Sequence, residues 1–125
     1  MTVPVPLPSG RDAAYDVIIG PGALADLPAL LAGRCPAARY AVVADRTVAD
    51  LYGEAAIAGL GAAGLDARLF TFRAGEIHKT RDTWAELTDE LLAAHFGRDA
   101  AVVALGGGVT GDLAGFVAEI GRAHV

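Results

Sequence analysis

The feature that most constrains this chain is the stretch from Ala100 to Val117, where an apolar segment runs into glycines and then into a helix start. Val102, Val103 and Leu105 make a short apolar run, the pattern of a strand covered on both faces in a parallel sheet. Gly106, Gly108 and Gly111 follow at G-x-G-x-x-G spacing, after which Leu113, Phe116 and Val117 share one helical face. A strand that swings into a helix through glycines aims backbone N–H groups and a positive helix end at one point, which suits a phosphate. Glycines also serve simply to let a helix lie close to a sheet. The turn departs from the usual dinucleotide fingerprint, which follows a first strand and has an acidic residue about 20 positions later. Here the glycines follow what reads as the third parallel strand.

At 125 residues the chain makes one domain at most. The hydrophobic fraction of 54% leans on alanine, and no apolar run reaches the roughly 20 residues of a spanning helix, so no membrane partner is expected. Met1-Thr-Val-Pro-Val-Pro-Leu-Pro8 has neither a basic segment nor a long apolar one, so no secretory signal is expected. The single cysteine, Cys35, excludes an internal disulfide and fits a cytoplasmic location. A net charge of −5 without a Lys/Arg cluster argues against a nucleic-acid partner. Any phosphate site must therefore come from local geometry.

In chain order, prolines at 4, 6 and 8 confine the start to an edge strand or arm, and Tyr15–Ile19 reads as its hairpin partner. Ala23–Leu31 has Leu24, Leu27 and Leu31 at helical spacing, with Pro28 shortening or bending the helix. Arg39–Asp45 is the first central strand. Thr47 is the expected N-cap of the next helix, which carries Val48, Leu51, Ala55 and Ala58 on one face and dissolves in Gly59-Leu-Gly61 and Gly64. Ala67–Phe72 is the next strand, and Ala74–Thr80 a polar loop. Thr83-Trp-Ala-Glu86 offers a capping box to a helix reaching about Phe96, with Trp84, Leu87, Leu91 and Leu92 buried. The alternation predicts an α/β fold: a Rossmann-like parallel sheet with helices on both faces, preceded by an N-terminal β-hairpin, as an incomplete domain. Ligands of such sheets sit at the carboxyl ends of the strands.

Asp45, the Ala74–Lys79 loop and the Gly106–Asp112 turn all project there. Asp45 suits the hydroxyls of a ribose or, equally, a turn leading into the next helix. Glu76 and Lys79 suit hydroxyls and a phosphate, or are solvated surface charges. Asp112 heads a helix, where a negative charge is favourable in itself. His78, His95, His124 and Cys35 form no recognisable metal set, and His95 is better suited to capping or packing near its helix end. No Ser-His-Asp arrangement is present.

Taken together, Tyr15-Asp-Val-Ile-Ile-Gly20, the strand ending at Asp45, Gly75-Glu-Ile-His-Lys-Thr80, and Arg98–Ala118 with its Leu-Gly-Gly-Gly-Val-Thr-Gly-Asp-Leu-Ala-Gly-Phe core resemble the N-terminal part of 3-dehydroquinate synthases, over residues 12–118. The resemblance implies an NAD-dependent and divalent-metal-dependent lyase of the shikimate pathway. Such enzymes convert a seven-carbon keto-sugar acid phosphate to 3-dehydroquinate with loss of phosphate. It implies that Asp45, Gly75, Glu76, Lys79 and the turn Gly107, Gly108, Val109, Thr110, Gly111 and Asp112 contact NAD, with no catalytic residue and no metal ligand in this stretch. The turn would meet the pyrophosphate, Asp45 and Glu76 sugar hydroxyls, and Lys79 a charge. It also implies a homodimeric, cytoplasmic full-length protein holding zinc or cobalt.

The departures count as well. The family's Pro-Thr-Thr segment, substrate-binding lysines and helical metal-binding C-terminal domain do not occur here, so the chain alone is expected to be inactive and poorly soluble. Residues 1–118 are thus expected to be an incomplete NAD-binding domain. The last seven residues, Glu119-Ile-Gly-Arg-Ala-His-Val125, match the translation of a short-read sequencing adapter (GAG ATC GGA AGA GCA CAC GTC), so 119–125 are expected to be a non-native tail; other codons in the gene would remove that idea. A related sugar-phosphate cyclase shares these motifs. A glycerol/iron-type alcohol dehydrogenase fits less well, because Val109-Thr110-Gly111 stands where that group has serine. A non-catalytic nucleotide-binding module is the third alternative.

Overall fold

A computed structural model describes residues 2–5, 15–19, 23–74, 81–97, 99–107, 110, 111 and 114. Strands β1 (Thr2–Val5) and β2 (Tyr15–Ile18) pair antiparallel, Thr2 opposite Ile18 and Val5 opposite Tyr15, which is the expected hairpin. Pro4, without an N–H to give, sits in β1 as an outer strand allows. A 3₁₀ turn, Ala23–Asp26, leads into α1 (Leu27–Arg34). The α-helix is short, eight residues, as the sequence reading allowed, and Pro28 marks its start. This proline stands in the first turn of α1, where a missing N–H breaks no intrahelical bond.

Three parallel strands form the main sheet: β3 (Arg39–Asp45), β4 (Ala67–Phe72) and β5 (Ala100–Ala104), in the order β4-β3-β5. The middle strand is buried from Tyr40 to Ala44, because an apolar run without a polar alternation tolerates cover on both faces. That doubly covered pattern was expected of the run at 102–105 too. Instead β5 pairs only with β3 among the described residues, and its side chains are partly exposed.

Strand alternation divides the core. Ala41 and Val43 join Phe70 and Phe72 on one face, beneath Leu87 and Leu91 of α4 (Arg81–Ala93), Phe96 and Ala114. Tyr40, Val42 and Ala44 point the other way. On that side a continuous rod runs through α2 (Arg46–Val48), a π-helical turn (Ala49–Gly53) and α3 (Glu54–Ala62). The rod buries Ala49, Gly53, Ala56 and Leu60, whereas the expected face placed Leu51, Ala55 and Ala58 inward. Leu51 is 68% exposed. Close approach accompanies this turn of the rod: a Cβ on Gly53 would stand 2.8 Å from Cδ2 of Leu69, so any larger residue there requires the Leu69 side chain to move.

Both long helices end in the same device. Gly64, at φ +81°, follows α3, with Gly64 N–H donating to Gly61 C=O at 3.0 Å and Leu65 N–H to Leu60 C=O at 3.0 Å. The rod thus continues through Gly59 and Gly61 instead of dissolving there. After α4, His95 takes the left-handed position at φ +62°. It donates to Leu92 C=O, and Phe96 N–H reaches back to Leu91 C=O. His95 is therefore a helix terminator, exposed rather than packed. Thr83 lies inside α4, so it heads no capping box, and Leu92 is 61% exposed because it sits about 100° from Leu91 around the helix axis.

Arg39 fastens the amino-terminal rim. Its Nε donates to Asp66 at 3.2 Å, Nη1 to the Ala94 carbonyl at 2.7 Å, and the guanidinium lies 4.0 Å from the Phe96 ring centroid. Phe96 in turn meets Phe70 edge-on at 5.3 Å. The Tyr40 hydroxyl, on a side chain 1% exposed, donates to Cys35 C=O and accepts from Ala37 N–H, tying down the chain before β3.

Candidate functional site

The strand order locates the site. From β3 the chain crosses to β4 on one side, then passes back over β3 to reach β5 on the other. Connections that leave in opposite directions open a crevice at the carboxyl ends of the two strands between them, here β3 and β5. Asp45 ends β3 and pairs with Phe72, the last residue of β4, so the segment leaving β4 starts from the same rim. Val43 pairs with Ala104, and that register continued by two residues brings Asp45 level with Gly106.

Asp45 has extended backbone (φ −69°, ψ 162°), and its Oδ1 accepts from Val48 N–H at 2.8 Å. It is the N-cap of α2, a role the sequence reading gave to Thr47, which lies inside the helix and is exposed. Capping spends one carboxylate oxygen. Oδ2 receives no hydrogen bond from the described residues, and the cap fixes the orientation in which it is presented.

The glycine turn is built onto the sheet. Leu105 N–H donates to Val43 C=O at 2.9 Å, carrying the ladder one residue past β5. Gly106 then turns at φ +143°, and a Cβ there would lie 2.9 Å from Oγ1 of Thr110. Both facts demand glycine. Helical conformation resumes at Thr110, and Gly111 N–H donates to Gly107 C=O at 3.1 Å, the bond that closes a first helical turn. Gly107 thus holds the N-cap position, and the Thr110 amide falls among those a helix leaves without an internal acceptor. Thr110 is 1% exposed and its hydroxyl packs beneath Gly106, so what it presents at this helix end is backbone.

Of the expected residues, the structure therefore brings Asp45, Gly107, Thr110 and Gly111 to the β3/β5 crevice. Gly75, Glu76, Lys79, Gly108, Val109 and Asp112 lie outside the described residues, as do His78, His124 and the tail 119–125. Gly106 opens the candidate turn but was not among the residues expected to contact NAD. Its signal was present as the first glycine of the spacing, the one that sets the tight turn. Among the described residues no three His, Cys, Asp or Glu side chains converge as a metal site would need. None of the described helices is long and apolar enough to cross a membrane.

A helix start at the end of one strand and a capped carboxylate at the end of its neighbour are the groups that would suit a nucleotide's phosphate and ribose. Comparison with known proteins gives the following relatives. Residues 69–123 match the family model described as 3-dehydroquinate synthase N-terminal. The 3-dehydroquinate synthase of Bradyrhizobium diazoefficiens is 46% identical over 114 residues, covering 91% of this chain and 30% of the relative. That of Caulobacter vibrioides is 46% identical over 123 residues, covering 95% and 32%. Among solved structures, 2-deoxy-scyllo-inosose synthase complexed with carbaglucose-6-phosphate, NAD⁺ and Co²⁺ superposes with a TM-score of 0.81 at 25% identity, over 98% of this chain and 32% of that one. The 2-epi-5-epi-valiolone synthase of Streptomyces hygroscopicus with NAD⁺ and Zn²⁺ bound gives 0.72 at 33% identity, over 94% and 32%. The chain thus spans about 30% of the length of the curated relatives it matches. In sequence the chain is similar to the N-terminal part of 3-dehydroquinate synthases, and in fold to the 2-deoxy-scyllo-inosose and 2-epi-5-epi-valiolone synthases.

Proposed function

We propose that this chain is the nucleotide-binding part of a 3-dehydroquinate synthase and holds NAD in the crevice between β3 and β5. The observation that carries the reading is the meeting of Asp45 and the Gly106–Gly111 turn at the strand-order reversal. In this reading the amides at the helix start receive the pyrophosphate, and the Oδ2 of Asp45 accepts from ribose hydroxyls. Glu76 takes further hydroxyls, Lys79 balances charge, and Gly75, Gly108, Val109 and Asp112 complete the contacts in the matching motifs. NAD, when bound, would supply a reversible hydride acceptor; the chain's own task would be binding and orientation.

The whole enzyme would act on a phosphorylated seven-carbon keto-sugar acid as a cytoplasmic homodimer with a divalent metal, zinc or cobalt, held outside this stretch. The chain alone would bind NAD without turnover. A related sugar-phosphate cyclase is the second reading, favoured by the superposition on 2-deoxy-scyllo-inosose synthase. Calorimetric titration of the chain with NAD tests the site. Saturable binding is expected, and a flat titration would falsify the assignment. Assaying the full-length gene product for 3-dehydroquinate against other carbocycles separates the two enzyme readings.

A further inference from the structure

Among the described residues one buried side-chain polar atom is left over from the fold. The indole Nε1 of Trp84 is shielded from solvent and has no hydrogen-bond acceptor among the described residues. A buried donor without a partner is costly, and the packing Trp84 provides against the α4 face of the sheet could come from phenylalanine at no such cost. Its position is what gives the atom a meaning. Trp84 lies in the first turn of α4, the end of that helix nearest the carboxyl rim, since α4 follows the segment that leaves β4 there. Side chains on a helix lean toward its N-terminus, so the indole leans toward the rim. The cluster it packs against contains Phe72, the last residue of β4, and Ala114, a helical residue a few positions after the glycine turn.

Resting on the nucleotide reading above, we propose that Trp84 is a positioning residue of the nucleotide site. Its N–H is a donor held in reserve beneath the rim for an acceptor oxygen that arrives with the nucleotide, either a phosphate oxygen or a water ordered by one. The bond would fix α4 against the glycine-turn helix in the bound state. This makes Trp84 a residue that costs stability in the free chain and returns it on binding.

Trp84 is the sole tryptophan, so its indole N–H gives a single, assignable NMR resonance in the ¹⁵N-labelled chain. Addition of NAD is expected to move that resonance downfield in step with saturation. Addition of inorganic phosphate alone should move it if the acceptor is a phosphate oxygen, and leave it unmoved if a nucleotide-ordered water is used. Trp84→Phe is expected to melt no lower than the parent chain and to bind NAD about tenfold more weakly. Saturable NAD binding with an unmoved indole resonance, or with an unchanged Kd in Trp84→Phe, overturns the proposal and leaves the nucleotide reading intact. No saturable binding by the unsubstituted chain overturns both.

Discussion

Asp45 carries two duties on one carboxylate, and the two oxygens can be separated by substitution. Asp45→Asn keeps an acceptor for Val48 N–H while removing the charge, so its Tm should stay close to that of the parent chain. Its NAD affinity should fall about tenfold, the effect of losing one charge-assisted hydrogen bond. Asp45→Ala loses both, adding a stability loss of about 1 kcal/mol from the missing cap. Thermal melts beside calorimetric titrations check the split; equal NAD affinity in Asn and parent chains would refute a ribose role. Gly106→Ala places a methyl against Thr110 and a side chain at φ +143°, for an expected loss of about 2 kcal/mol and of NAD binding. Tyr40→Phe removes a hydroxyl that serves Cys35 and Ala37 at once. It leaves a backbone N–H without its partner, for about 1–2 kcal/mol by chemical denaturation.

At the scale of elements, the helix ends are the most informative. His95 sits where glycine is favoured, so His95→Gly should raise stability by about 0.5–1 kcal/mol, visible as a higher Tm. An unchanged or lower Tm would mean the imidazole contributes contacts that outweigh the strain. The order of strands and helices along the chain was legible in the sequence, because three apolar runs separated by helical periodicity predict a parallel α/β sheet. Their faces and caps were not. Leu51 outranks Gly53 on any hydrophobicity scale, yet Gly53 is the residue that lies against Leu69. Thr47 and Asp45 are both good caps, and only the direction in which β3 ends makes the earlier one the acceptor. The place of His95 at the end of α4 was legible, but its left-handed backbone was not, because a non-glycine residue at positive φ is imposed by the docking of Phe96 rather than by local preference.

For the whole molecule, the described main sheet has two edge strands. Among the described residues β4 and β5 each have a strand neighbour on one side only. Leu51, Tyr52 and Leu92 add exposed apolar surface on two helices. Such edges and patches drive association. Light scattering on the isolated chain is accordingly expected to show mass rising with concentration; a monodisperse monomer with a sharp cooperative melt would count against it. The site was legible at this scale as a rim, since Asp45 and the glycine turn had to lie at strand ends. Which strand ends adjoin was not, because strand order follows from crossover direction, and residue patterns leave that open.

The rung from Leu105 to Val43 has a consequence for affinity. It clamps the bend that follows to the most deeply buried strand, the same strand that ends in Asp45. Those two arms of the crevice are therefore set at a fixed spacing when the polypeptide folds, and a ligand entering between them has little left to immobilise there. Weakening that rung, by any change that loosens β5 from β3, should slow no encounter but should shorten residence.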